Sequence, residues 1–420
     1  MRNRALGALA GLMSFGTLFA GAASASTPGS LDPTFGNGGR VLANIGGAFP
    51  SDAVLDSKGN LVVSLTASPD FTFEVARFLP DGQLDPSFGQ GGVAQVTPPQ
   101  NNGVAPTVVS DAIGLGPGGQ IIVAGHLPSP SGSDEFGVAR FTSAGTPDQS
   151  FGQGGVVATQ ILPPGQSSVF EPASAVLAQS DGTILVGGAA LVGGYRGSRS
   201  VGAVVRYLSD GSLDLGFGSG GIVTSSTFPQ VTTLGLDAAG DVFLLPVERE
   251  LSRAGQIDST VTPAAIVASS QGGPSTFLSD GRSLEADSVT VVRHDIDATA
   301  RRFAATGTID STFSAPLLDY SGGETGVNNT AGAVAAQADG KVVIAGSAGI
   351  IGSSSFGLAR VGPTGAVDST FGSGGTVTTA FQGSTGANAL VTQPADGKII
   401  AVGSSDTSGQ ESVALARYLP

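Results

Sequence analysis

Residues 31–39 read LDPTFGNGG, and versions of this phrase recur along the whole chain. Clear copies begin at Leu84 (LDPSFGQGG), Pro147 (PDQSFGQGG), Leu213 (LDLGFGSGG) and Val367 (VDSTFGSGG), and weaker ones at Ile257 (IDSTV) and Ile309 (IDSTF). The aspartates of the seven copies are separated by 53, 63, 66, 44, 52 and 58 residues. A recurrence of this length predicts an array of one repeated supersecondary unit rather than a single irregular domain.

Each unit reads as four short β-strands. In the second complete unit these are DAIGLG from Asp111, QIIVAG from Gln120, FGVARF from Phe136 and the recurring phrase from Pro147. Glycine-containing turns separate the first strand from the second and the third from the fourth, and no segment after the first 25 residues has a helical apolar period. Radially repeated four-stranded antiparallel units predict an all-β fold, a seven-bladed β-propeller.

The two ends of the chain carry complementary parts of one unit. Residues 413–420 (VALARYLP) match a third strand that has no fourth, and residues 29–39 (GSLDPTFGNGG) match a fourth strand that has no unit. We therefore predict that the N-terminal strand completes the last blade, which removes two open sheet edges. The alternative is an open solenoid with frayed ends.

An arginine precedes the aspartate of the phrase by eight residues in most units. The pairs are Arg77 with Asp85, Arg140 with Asp148, Arg206 with Asp214, Arg302 with Asp310, and Arg360 with Asp368. Opposite charges that face each other across antiparallel strands stabilise that register. We predict a structural ion pair in each of these blades, and a further pair between Arg417 and Asp32 across the closure.

The repeats resemble the bacterial delta-60 repeat family, a family of secreted β-propellers. The matching residues are the phrase seen in ANALVTQPADGKIIAVGS (residues 387–404), followed by an A-R-[YF] strand, an Asp-Gly turn and L-D-x-x-F-G. The resemblance covers residues 31–420 and weakens between about 223 and 313. It implies a propeller, export and a bacterial source, and it implies no reaction.

The first 25 residues have the features of a secretory signal. Arg2 and Arg4 precede an apolar stretch, and Ala23-Ser24-Ala25 fits the cleavage rule, so the mature chain is predicted to begin at Ser26 and to form one propeller domain over residues 26–420. The alternative is an uncleaved N-terminal anchor. No other apolar run has the length of a membrane-spanning helix. These features predict a secreted, extracellular protein with no membrane span after signal removal.

Composition excludes several functions. The formal net charge is −14 with only three lysines, so nucleic acid and anionic membranes are poor partners. The chain has no cysteine and two histidines, His126 and His294, which lie in different units. We predict no cofactor and no metal centre, with calcium in the central channel as an open alternative.

Loop length gives the one functional indication. The first-to-second and third-to-fourth turns are uniformly short, whereas insertions at 97–107, 126–135, 163–172 and 190–200 make the other two connections long. Those two connections emerge on one face of a propeller, which we call the variable-loop face, and variable loops on a rigid scaffold often carry binding residues. The candidate binding residues there are Asp52, Asp111, His126, Tyr195, Arg196 and Arg199.

Three functions follow from these observations. The first is a non-enzymatic scaffold that binds an extracellular protein or a polysaccharide at the variable-loop face. The second is a propeller hydrolase or lyase with acidic residues at the channel mouth, with or without a divalent cation. The third is a purely structural surface protein. Clustered carboxylates with raised pKa values in one pocket would favour the enzyme.

Overall fold

The computed structural model describes residues 27–66, 72–99, 108–128, 134–162, 172–192, 199–236, 241–245, 249–257, 275–278, 280–292, 295–306, 308–321, 327–350, 352–407 and 409–420. The predicted signal at 1–25 lies outside these ranges. Strands are numbered along the chain, from β1 (Arg40–Ala43) to β26 (Gln410–Tyr418). The described chain is all-β apart from one 3₁₀ turn at Pro117–Gly119.

Four of the six sheets are four-stranded and antiparallel. The first contains β2 (Phe49–Leu55), β3 (Leu61–Thr66), β4 (Phe73–Phe78) and β5 (Val93–Val96). The second contains β6 (Val109–Leu115), β7 (Ile121–Pro128), β8 (Asp134–Phe141) and β9 (Val156–Thr159). The third contains β10 (Ala175–Ala178), β11 (Ile184–Val192), β12 (Arg199–Tyr207) and β13 (Ile222–Ser225).

The next two sheets depart from that plan. A three-stranded sheet contains β14 (Thr233–Leu236), β15 (Val242–Leu245) and β16 (Arg249–Leu251). A seven-stranded sheet contains β17 (Ser275–Phe277), β18 (Ser283–Val292), β19 (Asp295–Phe303), β20 (Asn328–Ala336), β21 (Val342–Ile350), β22 (Ser353–Val361) and β23 (Thr376–Thr379). The repeats predict seven separate four-stranded sheets, whereas the described residues form six sheets, of which four have four strands.

The seven-stranded sheet consists of two antiparallel units joined at one point. A single parallel pairing between Ile296 and Asn328 links β19 to β20. On the outer side of β19, the place of a fourth strand is taken by one bridge between Ala298 and Leu318. Because that bridge covers so little of the edge, the start of β20 can pair with β19, and two repeat units share one sheet.

The two chain ends share the last sheet, whose order is β1-β26-β25-β24, with β24 at Ser384–Thr392 and β25 at Ile399–Thr407. Strand β1 runs antiparallel to β26 with Val41 opposite Leu415, and Leu31 forms a further bridge with Tyr418. The Gly29 amide donates to the carbonyl of Leu419 at 2.9 Å. The segment that begins the described chain thus supplies the fourth strand of the unit that ends it.

The core lies between neighbouring sheets. The second and third strands of the units are apolar on both faces, as in β3 and β11, so each sheet has two buried surfaces. One cluster joins Phe88 of the first unit to Ile121 and Phe141 of the second, and another joins Leu61 of the first sheet to Ile400 and Leu415 of the last. Packing between sheets thus explains why the phenylalanine of the phrase recurs from unit to unit.

The recurring phrase forms the same ion-pair unit six times in the described chain. In each, the arginine Nε lies 2.8 or 2.9 Å from the aspartate Oδ2, and the guanidinium lies over the phenylalanine ring at 4.4–4.9 Å. The six units are Arg77–Asp85–Phe88, Arg140–Asp148–Phe151, Arg206–Asp214–Phe217, Arg302–Asp310–Phe313, Arg360–Asp368–Phe371 and Arg417–Asp32–Phe35. The phrase is therefore a structural element.

The ion-pair unit also ties one sheet to the next. Arg77 Nη1 donates to the Ser143 carbonyl at 2.7 Å, and Arg140 Nη1 donates to the Ser209 carbonyl at 2.6 Å. Each acceptor lies in the short turn between the third and fourth strands of the following unit. Arg417 makes the same contact with Pro80, which links the last sheet to the first. The equivalent aspartate of the fourth unit, Asp258, lies outside the described residues.

Sequence analysis missed a second cation in the later units. Lys341 Nζ lies 3.2 Å from Asp368, and Lys398 Nζ lies 3.2 Å from Asp32. Both lysines follow the Asp-Gly turn that opens the second strand. The signal was present in the sequence, since the D-G-K phrase recurs, but only the fold places that turn beside the aspartate of the fourth strand.

Candidate functional site: the central cavity

A cavity of about 1070 Å³ lies among the inner strands of the sheets. Its wall includes residues from seven strands, β2, β6, β10, β14, β17, β20 and β24. Each of these strands contacts the next in chain order, and β24 contacts β2. A ligand in this cavity would therefore meet side chains from strands along the whole described chain.

Four of the inner strands contain a one-residue bulge. The register shifts between Pro50 and Asp52 in β2, and between Ser110 and Ala112 in β6. Corresponding shifts occur in β20 and β24, so the four extra residues are Ser51, Asp111, Gly332 and Asn388. All four line the cavity. Bulges redirect side chains and are frequent beside functional sites.

A glycine of the second strand makes room for each of three bulges. A Cβ on Gly125 would lie 1.8 Å from the carbonyl oxygen of Val109, and one on Gly346 would lie 1.8 Å from that of Thr330. For Gly403, the distance to the Gly386 oxygen would be 1.9 Å. The glycine at the end of the I-I-V-A-G phrase is therefore required by the close approach of the inner strand.

The residue at the bulge differs between units, whereas the ion-pair residues repeat. Serine, aspartate, glycine and asparagine occupy the four bulge positions. Hydroxyl groups make up much of the remaining polar wall, from Ser174, Thr232, Thr233, Ser275, Thr276, Ser288 and Thr290. A repeated frame thus supports a wall whose polar residues differ from one unit to the next.

Asp52 lies in this wall at the boundary between the first and second units. Its Oδ1 accepts a hydrogen bond from the Ala53 amide at 2.8 Å, and its Oδ2 accepts one from the Ile113 amide at 3.2 Å. Burial raises the pKa of Asp52 to about 6, although these two backbone hydrogen bonds favour the charged form. This carboxyl therefore changes charge near neutral pH.

Asp111 and His126 form a pair in the second unit, whose strand β6 also donates the Ile113 amide to Asp52. His126 Nδ1 lies 3.6 Å from Asp111 Oδ2. His126 is buried in β7, while Asp111 is half-buried and lines the cavity at the bulge of β6. Both residues lie near the ends of strands that continue into long connections, so this part of the cavity is on the variable-loop side.

A third carboxylate, Asp287 of β18, lies in the wall contributed by another unit. It pairs with Arg301, which also lies 3.3 Å from the buried Glu285. None of the described residues that line the cavity is lysine or arginine. The cavity wall is thus polar and acidic.

The structure separates the sequence-predicted site residues into two groups. Asp52 and Asp111 line the cavity, and His126 pairs with Asp111 without lining it. Arg199 is exposed at the start of β12 and does not line the cavity. Tyr195 and Arg196 lie outside the described residues, as does His294. Sequence analysis missed Asp287 and the hydroxyl-rich wall, because no sequence pattern shows which serines and threonines face the axis.

Within the described residues, no group of three or more histidine, cysteine, aspartate or glutamate side chains is arranged to hold a metal ion. No described helix is long and apolar enough to span a membrane.

Comparison with protein families supports a propeller repeat family. A family model described as a β-propeller domain of unknown function (DUF5122) matches residues 66–88, 117–151, 179–217, 337–371 and 395–420. Residues 218–336 are not matched, and this gap includes the whole region in which the repeats weaken, about 223–313. No curated protein matches the chain.

Several solved structures are similar to this chain at low identity. A catalytically inactive virginiamycin B lyase from Staphylococcus aureus, solved with quinupristin, has 12% identity and a TM-score of 0.47, over 90% of this chain and 98% of that one. The polysaccharide lyase Uly1 has 10% identity and a TM-score of 0.45, over 88% and 89% of the two chains. Similarity at this level carries no argument about activity.

Proposed function

We propose that this chain is a secreted, non-enzymatic β-propeller of seven blades that binds a polar ligand in its central cavity, at the variable-loop end. The observation that carries the proposal is the cavity itself, which has one strand from each of seven units in its wall and different polar residues at equivalent positions. The cyclic contacts of the inner strands and the pairing of β1 with β26 support ring closure.

The chemistry of the wall favours a hydroxyl-rich ligand. Serine and threonine hydroxyls, the Asn388 amide and the Asp111 carboxylate can each donate to or accept from a sugar hydroxyl. The cavity volume is at the upper end of the range for small-ligand sites. The acidic wall disfavours polyanions, so we propose a neutral or cationic polysaccharide segment, with an extracellular protein loop as the alternative ligand.

The binding proposal is tested with a panel of neutral, amino and uronate polysaccharides in affinity gel electrophoresis. We expect retardation by a neutral or amino polysaccharide, and a loss of about tenfold or more in affinity in Asp111→Asn with Asn388→Ala. Asp339→Asn is the matched control, since Asp339 is exposed in a short turn far along the sheet from the bulge. Retardation that is unchanged by the cavity variants would contradict the proposal.

A second candidate is a hydrolase or lyase, which one observation favours. Asp52 shares the cavity wall with Asp111, its pKa is raised to about 6, and a carboxyl that is partly protonated near neutral pH can act as a general acid. The same polysaccharide panel would then yield new reducing ends or unsaturated products. Asp52→Asn would abolish that turnover and retain binding, whereas a pure binding protein would release no product.

We also propose that residues 1–25 direct export and are removed. The basic residues, the apolar stretch and the Ala23-Ser24-Ala25 site support this assignment. Mass spectrometry of the protein recovered from a bacterial culture medium should give an N-terminus at Ser26. An intact Met1 in membrane-associated protein would support the uncleaved anchor instead.

A further inference from the structure

A second cavity lies between the second and third sheets, on the side of the short turns. Its volume is about 320 Å³, and its wall contains residues of the turn between β6 and β7 and of the turn between β10 and β11. We call it the turn cavity, and its residues that matter here are Gly116, Gln120, Ile122, Arg140, Gly182 and Ile184. A volume of this size is at the lower limit for small-molecule sites.

A glycine distinguishes this place from the equivalent one between the seven-stranded sheet and the last sheet. Gly116 begins the turn between β6 and β7, and its amide donates to the Gln120 carbonyl at 2.8 Å. Gln337 has the same place in the turn between β20 and β21, where its amide donates to the Lys341 carbonyl at 2.8 Å. The second sheet therefore lacks the side-chain amide that Gln337 supplies.

That amide connects two neighbouring sheets. Gln337 Oε1 accepts a hydrogen bond from Arg360 Nη1 at 3.4 Å, and its Nε2 donates to the Gly397 carbonyl at 3.3 Å. Arg360 and Gly397 correspond to Arg140 and Gly182, which both line the turn cavity. The turn cavity is therefore a space that a glutamine side chain fills elsewhere in this fold.

The polar wall requires a ligand with both a donor and an acceptor. Gln120 Oε1 is buried without a hydrogen-bond partner among the described residues, and it would lie 3.3 Å from a Cβ on Gly116. A buried acceptor of this kind needs a donor. Arg140 Nη1 donates to the Ser209 carbonyl at 2.6 Å and carries a second hydrogen, for which a ligand oxygen would be the acceptor.

The rest of the wall is apolar or electrically balanced. Ile122 and Ile184, each 1% exposed, supply apolar surface. Arg140 is paired with Asp148 at 2.8 Å, and Asp181 also lines the cavity, so the wall has no excess positive charge for an anion. A neutral sugar ring has hydroxyls at its edge and C–H groups on its faces, and it matches this combination.

We propose that the turn cavity binds one neutral sugar ring, with one hydroxyl donating to Gln120 Oε1 and another accepting from Arg140 Nη1. This site goes beyond the proposed function, because it lies on the side opposite the variable-loop face and shares no wall residue with the central cavity. The sugar would connect the second sheet to the third, as Gln337 connects the seven-stranded sheet to the last one.

Binding is tested by NMR on the purified full chain with ¹³C-labelled isoleucine δ1 methyl groups. Ile122 and Ile184 report on the turn cavity, whereas Ile113 and Ile296 report on the central cavity. The probes are glucose, galactose and N-acetylglucosamine. At least one of them should shift the Ile122 and Ile184 signals saturably, with a dissociation constant on the order of 1 mM, as expected for so small a ligand.

Two variants close or disable the turn cavity without requiring a strained backbone. Gly116→Gln introduces the side chain that Gln337 has, at an extended backbone of φ −91° and ψ 174°, and should weaken sugar binding about tenfold or more. Its Tm should equal or exceed that of the natural chain, because the new amide can connect Arg140 to Gly182. Gln120→Met keeps the length of the side chain, removes the buried acceptor and should weaken binding about tenfold with no loss in Tm.

Asp111→Asn in the central cavity is the control and should leave the Ile122 and Ile184 shifts unchanged. Absence of a saturable shift at these two methyl groups with all three sugars would overturn the proposal. Full affinity in both Gly116→Gln and Gln120→Met would overturn it as well. Failure of polysaccharide binding at the central cavity would leave these shifts in place, so the two proposals fail separately.

Discussion

Replacing Arg417 by methionine tests the contact between the two chain ends. Methionine keeps the aliphatic length of the side chain and removes all its donors. In the native chain, Arg417 bonds Asp32 at 2.9 Å and Thr34 at 2.9 Å, and its guanidinium lies over Phe35. The arginine and aspartate side chains are 6% and 3% exposed, so this is a buried ion pair.

Removing one partner of a buried pair costs about 3–5 kcal/mol. Lys398 remains 3.2 Å from Asp32 and compensates part of the uncovered charge, which places the expected loss near 3 kcal/mol. With an unfolding entropy of about 0.8 kcal/mol per kelvin for a chain of this length, the Tm should fall by about 4 °C. Amides of β1 and of the facing part of β26 should exchange with deuterium faster than those of the central sheets.

Arg206→Met is the matched control. Arg206 forms the same ion-pair unit with Asp214, but the two side chains are 13% and 22% exposed, so the loss should be smaller, about 1–2 kcal/mol. This variant lies within a continuous stretch of chain and should leave the exchange of β1 unchanged. Unchanged β1 exchange in Arg417→Met, or an equal loss of stability in both variants, would refute the reasoning.

Three further predictions concern the bulge and the titrating carboxyls. Gly125→Ala should displace the β6 bulge, because its Cβ would lie 1.8 Å from the Val109 oxygen, and should abolish cavity binding, whereas Gly386→Ala, with 3.4 Å to its nearest atom, should not. Asp52→Asn should increase the free energy of unfolding in urea at pH 7.5 but not at pH 4. Because the pKa of Asp52 is raised to about 6 in the folded chain, ionisation of this carboxyl destabilises the fold as the pH rises from about 4 to 6. An equal difference at both pH values would contradict that assignment. Burial opposes the ionisation of Asp32, but hydrogen bonds from Thr34 and then the cations Lys398 and Arg417 lower its pKa to about 2. The stabilisation of the fold by the charged Asp32 should therefore be complete above pH 4 and lost as the pH falls to 2 in acid unfolding. An acid transition that is the same in Asp32→Asn would contradict this.

The local sequence pattern was sufficient to predict the repeated strands and ion pairs of this protein. The interval of eight residues between Arg77 and Asp85 predicted their proximity because the hairpin turn between them has a fixed length. The complementary ends of the chain likewise indicated which strand would lie beside β26. The seven-stranded sheet was harder to predict from the sequence. The repeat pattern weakens in this region, where β19 has only the Leu318 bridge on its outer edge.

The site was less accessible to sequence analysis. Asp52 and Asp111 were chosen because they open inner strands on the side of the long loops, and both line the cavity. Arg199 was chosen for its place beside a long insertion, and it is exposed at the start of β12 instead. Asp287 was missed, because its unit is one of the degenerate repeats and gave no register from which to place it.

The sequence by itself determined the repeating unit, its β-strands and its ion pairs, because these depend on interactions between residues that are close along the chain. Only the tertiary structure decided which side chains face the common axis and which distant segments meet where β19 pairs with β20. Those positions follow from one-residue bulges and from contacts between distant units, and a shift of one residue in a strand moves every side chain to its opposite face.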